Sequence, residues 1–216
     1  PLIGVDHVQA HLYAADLVSD ADVVLDDPAY PALGLVVSGG HTCLYHVTSA
    51  LHMSKLGNTI DDAVGEAYDK AAVILDAGYP GGPKLDKLAQ TGDPKAVDPL
   101  PISLLAKDSL DFSYSGLKTA LLYRVRGNPT GKGKNVTFER STSDLTPTEK
   151  ANLAAAFQHA AIGAVRKKVI RALDQMAEQG KSPKRILVGG GVSANSELRK
   201  QMLALGQKRN IQVCLP

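Results

Sequence analysis

Two histidines four residues apart, His7 and His11, project from one face of a helix and can close together on one divalent ion. Two ligands leave such a site incomplete, since a catalytic ion needs a third protein ligand and an open position. The intervening residues are Val8-Gln9-Ala10, so the glutamate base of the H-E-x-x-H zinc proteases is missing and that chemistry is excluded. By itself the pair fits a ligand pair and a polar helix face equally well. A second feature is Val36-Val37-Ser38-Gly39-Gly40-His41-Thr42, an apolar run ending in two glycines. Bare backbone there can offer N–H groups to a phosphate or carbonyl, or simply make a tight turn. A third is Gly189-Gly190-Gly191 between a strand pattern and a helix pattern, with Asn195 in the helix's first turn. That arrangement receives anions and nucleotides at helix N-termini, and it also serves plain close packing. Asp62, Glu66 and Asp69 fall at helical steps on one predicted face, where like charges repel unless a metal, ligand hydroxyls or a basic neighbour such as Lys70 compensates. Tyr79-Pro80-Gly81-Gly82-Pro83 is a stiff bend presenting bare backbone, suited to ligand contact. The hydroxyls of Asp111-Phe112-Ser113-Tyr114-Ser115 precede a helix start and are explained by capping alone.

The elements that must position these residues include both strands and helices, and the length suits one large domain or two small ones. A strand-like run over 2–5 leads into a helix over 7–15, and an acidic turn surrounds Asp26-Asp27-Pro28. Leu33 to Val37 and Thr42 to Val47 read as a β-hairpin about Gly39-Gly40. Ile60, Val64, Ala67, Ala71 and Ile74 have helical period, so a helix is expected over 60–75, stopping near Gly78, with a short helix over 84–90. A mobile basic loop is expected near 126–145, and its Gly131-Lys132 lacks the pattern of a phosphate P-loop. Thr146-Pro147-Thr148-Glu149 is a capping box opening a long helix to about Gln179, closed by Gly180. A strand over 185–188, a helix capped by Ser193 and running to Leu205, and a final strand-like run over 211–215 complete the pattern.

The 216 residues carry a net charge of +2, unevenly placed. Residues 1–110 hold 6 Lys and Arg against 15 Asp and Glu, and residues 111–216 hold 18 against 7. The basic half points to a polyanionic partner or to solvated helix faces. Two cysteines, Cys43 and Cys214, exclude a disulfide framework and a structural zinc finger and favour a reducing compartment. The longest weakly polar run, 151–165, is broken by Asn152, Gln158 and His159, so no transmembrane helix is expected and the cytoplasm is the expected location.

Taken in order, His-x-x-x-His, V-V-S-G-G-H-T, I-D-D-A-V-G-E-A-Y-D-K, G-Y-P-G-G-P, D-F-S-Y-S-G-L-K-T and L-V-G-G-G-V-S-A-N-S-E-L-R closely resemble the threonylcarbamoyltransferase family, once called glycoprotease. The resemblance covers nearly the whole chain. It implies an actin, Hsp70 and sugar-kinase type of lobe, a mixed β-sheet flanked by helices, in a single and incomplete second lobe of a two-lobe protein. It implies a cytosolic acyltransferase that moves the threonylcarbamoyl group from threonylcarbamoyl-AMP to N6 of adenosine 37 in tRNAs reading codons that begin with A. Within that family His7 and His11 match ligands of an iron ion, or zinc in some preparations. Val36, Val37, Ser38, Gly39 and Gly40 match a substrate-contacting strand and turn, Asp69, Gly82 and Asp86 match contacts around the ribose and the bend, and Asn195 matches the asparagine of the nucleotide loop. The family's first phosphate motif and its third metal ligand, an aspartate, are not among residues 1–216, so the chain is expected to be a fragment that does not catalyse transfer alone. Gln9 stands where many relatives carry Glu, pointing away from the histidine face. The resemblance implies a catalytically silent paralogue and a P-loop ATPase as partners, as in bacterial relatives, or a kinase-containing complex as in archaeal and eukaryotic ones; the basic second half, with Arg124, Arg126, Lys132, Lys134 and Arg140, is expected to track tRNA phosphate. A related carbamoyltransferase of hydrogenase maturation and a non-catalytic nucleotide-binding scaffold are the competing readings.

Overall fold

The computed structural model describes residues 2, 4–18, 30–131 and 135–216. The acidic turn at 26–28, Lys132 and Lys134 lie outside the described residues. Among the described residues, five strands form one mixed sheet in the order β3-β2-β1-β4-β5. They are β1 (Ala32–Val37), β2 (Thr42–Ser49), β3 (His52–Asn58), β4 (Arg185–Gly189) and β5 (Gln212–Cys214). β1 pairs antiparallel with β2 and β2 with β3, whereas β4 runs parallel to β1 and β5 parallel to β4. Every residue of β1 and β4 is buried. Such unbroken apolar runs belong to strands covered on both faces, which is why they lack period-two alternation.

Among the described residues, six α-helices cover the sheet. One face carries α1 (His7–Val18), and its small core joins Leu12 to Val36, Cys43, Val47 and Leu187. The other face carries the main core, built on α2 (Val64–Ile74), α3 (Gly81–Ala89), α4 (Ser115–Arg126), α5 (Pro147–Glu178) and α6 (Ser196–Arg209). The sequence explains the longest of these locally. Thr146 and Glu149 cap each other's backbone N–H groups, Pro147 occupies the first helical turn, and Gly180 takes φ +70° just beyond the end. Phe157 of α5 packs edge-on against Tyr68 of α2, with ring centroids 5.4 Å apart. Farther along α5, the buried Lys168 ammonium donates to the carbonyls of Leu104 and Ser109 at 2.6 and 2.5 Å, tying the α3–α4 connection across the helix.

Several expectations are corrected. Leu2, Gly4 and Val5 form no strand, and Leu2 and Val5 are exposed. The hairpin extends to a third strand, β3, which the sequence reading missed because its residues are mostly polar and suit an edge. The helix expected from Ile60 begins at Val64. Residues 60–62 form a bend because Thr59 and Ile60 pair with the Phe112 segment, so Asp62 does not share a helical face with Glu66 and Asp69. The short helix begins at Gly81 rather than Lys84, which turns the second half of the Pro-Gly-Gly-Pro bend into its first turn, after a cis Tyr79–Pro80 bond. Ser193 does not cap the last helix. It lies in a 3₁₀ turn over Gly191–Ala194, and Asn195 is the cap, accepting from Leu198 N at 3.0 Å. The expected basic loop holds an antiparallel bridge between Thr130 and Thr137 and a capped 3₁₀ turn at Thr142–Asp144.

Candidate functional site

β1 and β4 run side by side in one direction, and the chain segments leaving their carboxyl ends open a cavity of about 610 Å³, the size range of small-molecule and cofactor sites. Gly39 follows β1 on one side, and Gly191 and Asn195 follow β4 on the other. α2 contributes Gly65, Tyr68 and Asp69, and α3 contributes Gly82, Asp86 and Lys87. Three helices therefore begin at this cavity, and their positive dipole ends favour an anionic ligand group, although several of their first N–H groups are already taken, Val64 N by Thr42 Oγ1 and Gly65 N by Ser38 O.

Close packing sets the walls. A Cβ on Gly189 would fall on the carbonyl oxygen of His11, and one on Gly190, at φ +95°, on that of Val37. Two of the three loop glycines are thus there for the approach of α1 and β1. The third, Gly191, and also Gly39, Gly40 and Gly82 would meet no protein atom within 4 Å. Neither packing nor a left-handed backbone requires glycine at those four positions, and three of them line the cavity. Bare backbone beside open space is what close approach to a ligand needs.

The acidic groups divide into two kinds. Asp69 accepts from Gly82 N at 3.1 Å through one oxygen, and Asp86 holds Ser196 through both oxygens, at 3.0 Å to N and 2.7 Å to Oγ. These clasps tie α2 to α3 and α3 to α6 around the cavity. Asp62 instead pairs with Lys70 at 2.7 Å and Lys118 at 2.9 Å, and Glu66 also meets Lys70 at 2.9 Å. The basic neighbour foreseen for the carboxylates is therefore real for two of the three, and Asp69 is the one left facing the cavity.

Asp61, not singled out in the sequence, accepts from Tyr114 N at 2.8 Å and from the hydroxyls of Ser113 and Ser115 at 2.5 and 2.8 Å. It caps the start of α4 from another segment, a tertiary role with no local sequence signal. Burial alone would raise its carboxyl, but these donors outweigh burial and hold it below the usual aspartate range; for Asp62, burial is likewise outweighed by Lys70 and Lys118. Both folded values lie below the unfolded one. The stability they add is therefore present above the ordinary aspartate pKa and lost as pH falls through the folded values. Acid unfolding of Asp61→Asn should accordingly begin from a lower neutral-pH stability and show a shallower loss between about pH 5 and 2. Urea midpoints measured across that range check this, and identical slopes would contradict it.

The histidine pair sits at the same end of the sheet on the α1 side. The rings of His7 and His11 are 4.7 Å apart, and His41 stands 6.2 Å from His7. The turn Ser38–His41 joins the two places, with Gly39 on the cavity and the His41 ring beside His7. Ser38 closes it, donating N to His41 O at 2.8 Å and accepting from His41 N at 3.0 Å through Oγ. The side chains of Val36 and Val37 are buried in the two cores. Burial, then the charges of His7 and His41, push His11 down, which keeps a lone pair available for a metal. Two adjacent imidazoles on one helix face fit as part of a metal site. Among the described residues no third His, Cys, Asp or Glu completes one. No helix of the described residues is long and apolar enough to cross a membrane. Of the expected tRNA-tracking residues, Arg124 pairs with Asp98 at 2.7 Å, Arg140 donates to the Arg124 carbonyl, and Arg126 lies over the Phe138 ring.

The fold and cavity define an α/β protein with a mixed sheet flanked by helices and a ligand-sized site at the carboxyl ends of its parallel strands. The family model described as tRNA N6-adenosine threonylcarbamoyltransferase matches residues 1–216. Proteins of that name are similar throughout: from Mesoplasma florum, 43% identical over 211 residues and 98% of this chain; from Symbiobacterium thermophilum, 40% over 216 residues and 100%; from Trichlorobacter lovleyi, 44% over 218 residues and 100%. The matches cover 58%, 55% and 56% of those proteins, so the chain spans little more than half of their length. The crystal structure of component A of Acidaminococcus fermentans (R)-2-hydroxyglutaryl-CoA dehydratase covers 95% of this chain and 60% of its own, at 13% identity and TM-score 0.47, and adds no weight. This chain belongs to the tRNA N6-adenosine threonylcarbamoyltransferase family.

Proposed function

We propose that the protein transfers threonylcarbamoyl from threonylcarbamoyl-AMP to N6 of adenosine 37 in tRNAs reading codons that begin with A, working as one lobe of an actin-like two-lobe enzyme in the cytoplasm. The observation that carries this reading is the cavity itself, which gathers Gly39, Asp69, Gly82, Asp86 and Asn195 from four separate stretches of chain around one nucleotide-sized space. In this reading the phosphate lies against the bare backbone at Gly39 and Gly191 near the positive helix ends, and the carboxylate of Asp69 accepts from ribose hydroxyls. The N6 amine attacks the carbamoyl carbonyl, a C–N bond forms as the bond from that carbon to the phosphate oxygen breaks, the amine loses a proton, and AMP leaves.

His7 and His11 would hold a ferrous ion, or zinc, which supplies Lewis-acid polarisation beside the turn carrying Gly39 and Gly40. The turn's backbone donors then face the developing negative charge. A silent paralogue and a P-loop ATPase are the proposed partners, and basic groups of the second half are proposed to meet tRNA phosphates, so binding should weaken steeply with salt.

The test is transfer by the whole protein that contains this lobe, in the reconstituted multiprotein reaction, with threonylcarbamoyl-AMP supplied and modified adenosine counted in hydrolysed tRNA. His7→Ala with His11→Ala is expected to reduce product to background without moving the melting temperature by more than about 2 °C, because His7 is exposed and His11 only half-buried. Undiminished product from this double variant would refute the metal role.

A further inference from the structure

Behind Asn195 lies a buried polar network that no ligand contact accounts for. Its oxygen accepts from Leu198 N at 3.0 Å, which fixes the carboxamide with oxygen toward α6 and nitrogen toward the core. The nitrogen donates to Gln158 Oε1 at 2.9 Å and, at 3.4 Å, to the Tyr68 hydroxyl. Tyr68 in turn donates to the same Gln158 oxygen at 3.1 Å. All three side chains are at least nine-tenths buried: Tyr68 is 1% exposed, Gln158 6% and Asn195 7%. Burial keeps the Tyr68 phenol protonated, so it remains a donor. Gln158 belongs to α5 and does not line the cavity, whereas Tyr68 and Asn195 do.

The network has a chemical consequence. With both Asn195 N–H bonds directed at Gln158 and Tyr68, the unused capacity of this carboxamide is the second lone pair of its oxygen. The neighbouring carboxylates of Asp69 and Asp86 are acceptors as well. Around Asn195 the lining side chains are chiefly acceptors, with Lys87 as the charged donor and Gln90, whose carboxamide gives one N–H to Ser196 Oγ, as a neutral one. A ligand edge carrying an amino group satisfies such a wall, whereas a carbonyl in the same place meets another acceptor.

We infer that Gln158, supported by Tyr68, is a positioning residue that locks Asn195 as an acceptor and thereby makes the cavity select a nucleotide base with an exocyclic amine over one with a carbonyl at that edge. The inference rests on the nucleotide reading of the cavity. Gln158 acts only through Asn195, so its loss changes selectivity without removing a ligand contact of its own.

AMP and IMP differ by an amine against a carbonyl at one ring position and are the probes. Calorimetric titration of each into the full chain should show AMP binding about tenfold tighter than IMP. Gln158→Met keeps the volume and removes the accepting oxygen, and it should narrow the preference to within about twofold by weakening AMP. Gln158→Glu retains an accepting oxygen and should keep the preference. Tyr68→Phe keeps the ring packing on Phe157 and removes one donor, and should give an intermediate preference should Gln158→Met fail to fold. Equal binding of the two nucleotides by the wild-type chain, or a full preference surviving both Gln158→Met and Tyr68→Phe, overturns the inference and leaves the nucleotide reading standing. Binding of neither nucleotide overturns both.

Discussion

Gly189→Ala is expected to destabilise the chain by about 3 kcal/mol, the upper range for overpacking a site that cannot give way. The added methyl would fall on the backbone carbonyl of His11, not on the end of a flexible side chain, so either β4 or α1 must move. Gly191→Ala, two residues further along, meets nothing within 4 Å and should stay within about 0.5 kcal/mol of the parent. Urea unfolding of the two variants makes the comparison. The consequence reaches beyond stability, because α1 carries both histidines and its distance from β4 sets where they stand relative to the turn at Gly39 and Gly40. A Gly189→Ala chain that folds should bind ferrous ion more weakly than the Gly191→Ala chain. Equal stability of the two would show that α1 is not held by this approach.

The second large effect is expected at Asp69. Its exposed carboxylate lines the cavity, and one oxygen accepts from Gly82 N while, among the described residues, no ion pair engages the other. Removing a charged hydrogen-bonding group that meets a ligand costs about 1.5–3 kcal/mol, so Asp69→Ala should weaken binding of a stable threonylcarbamoyl-adenylate analogue roughly 10- to 100-fold. Stability should change by less than about 1 kcal/mol, since a single exposed hydrogen bond is lost. Asp62→Ala provides the contrast: its carboxylate pairs with Lys70 and Lys118, so its loss should lower stability and leave affinity alone. Affinity unchanged in Asp69→Ala would remove the carboxylate from the site.

The contrast between these two aspartates shows what the sequence could and could not reveal. Helical spacing put Asp62, Glu66 and Asp69 on one face, yet the bend at 60–62 is dictated by the distant Phe112 segment, which no local pattern records. The capping box at Thr146 and Glu149 and the buried runs of β1 and β4 were legible because their signals are local. β3 was hidden by its polar edge composition. Asn195 was legible as a site residue by its place after a glycine loop, and its cap on Leu198 is local, but the Gln158 and Tyr68 partners behind it and the clasp between Asp86 and Ser196 join residues 37 to 127 positions apart. His41 was visible in its motif without any sign that its ring stands near His7. The triple glycine split into two packing positions and one open one, a division that spacing alone could not make.

The central claim is that the space among Gly39, Asp69, Gly82, Asp86 and Asn195 holds an acyl-adenylate. Calorimetric titration of a non-hydrolysable threonylcarbamoyl-adenylate analogue into the chain tests it most directly, with AMP as competitor and Asp69→Ala alongside. The account predicts one saturable site that AMP displaces and that Asp69→Ala weakens. Absence of saturable binding, or binding that neither AMP nor Asp69→Ala disturbs, would contradict it.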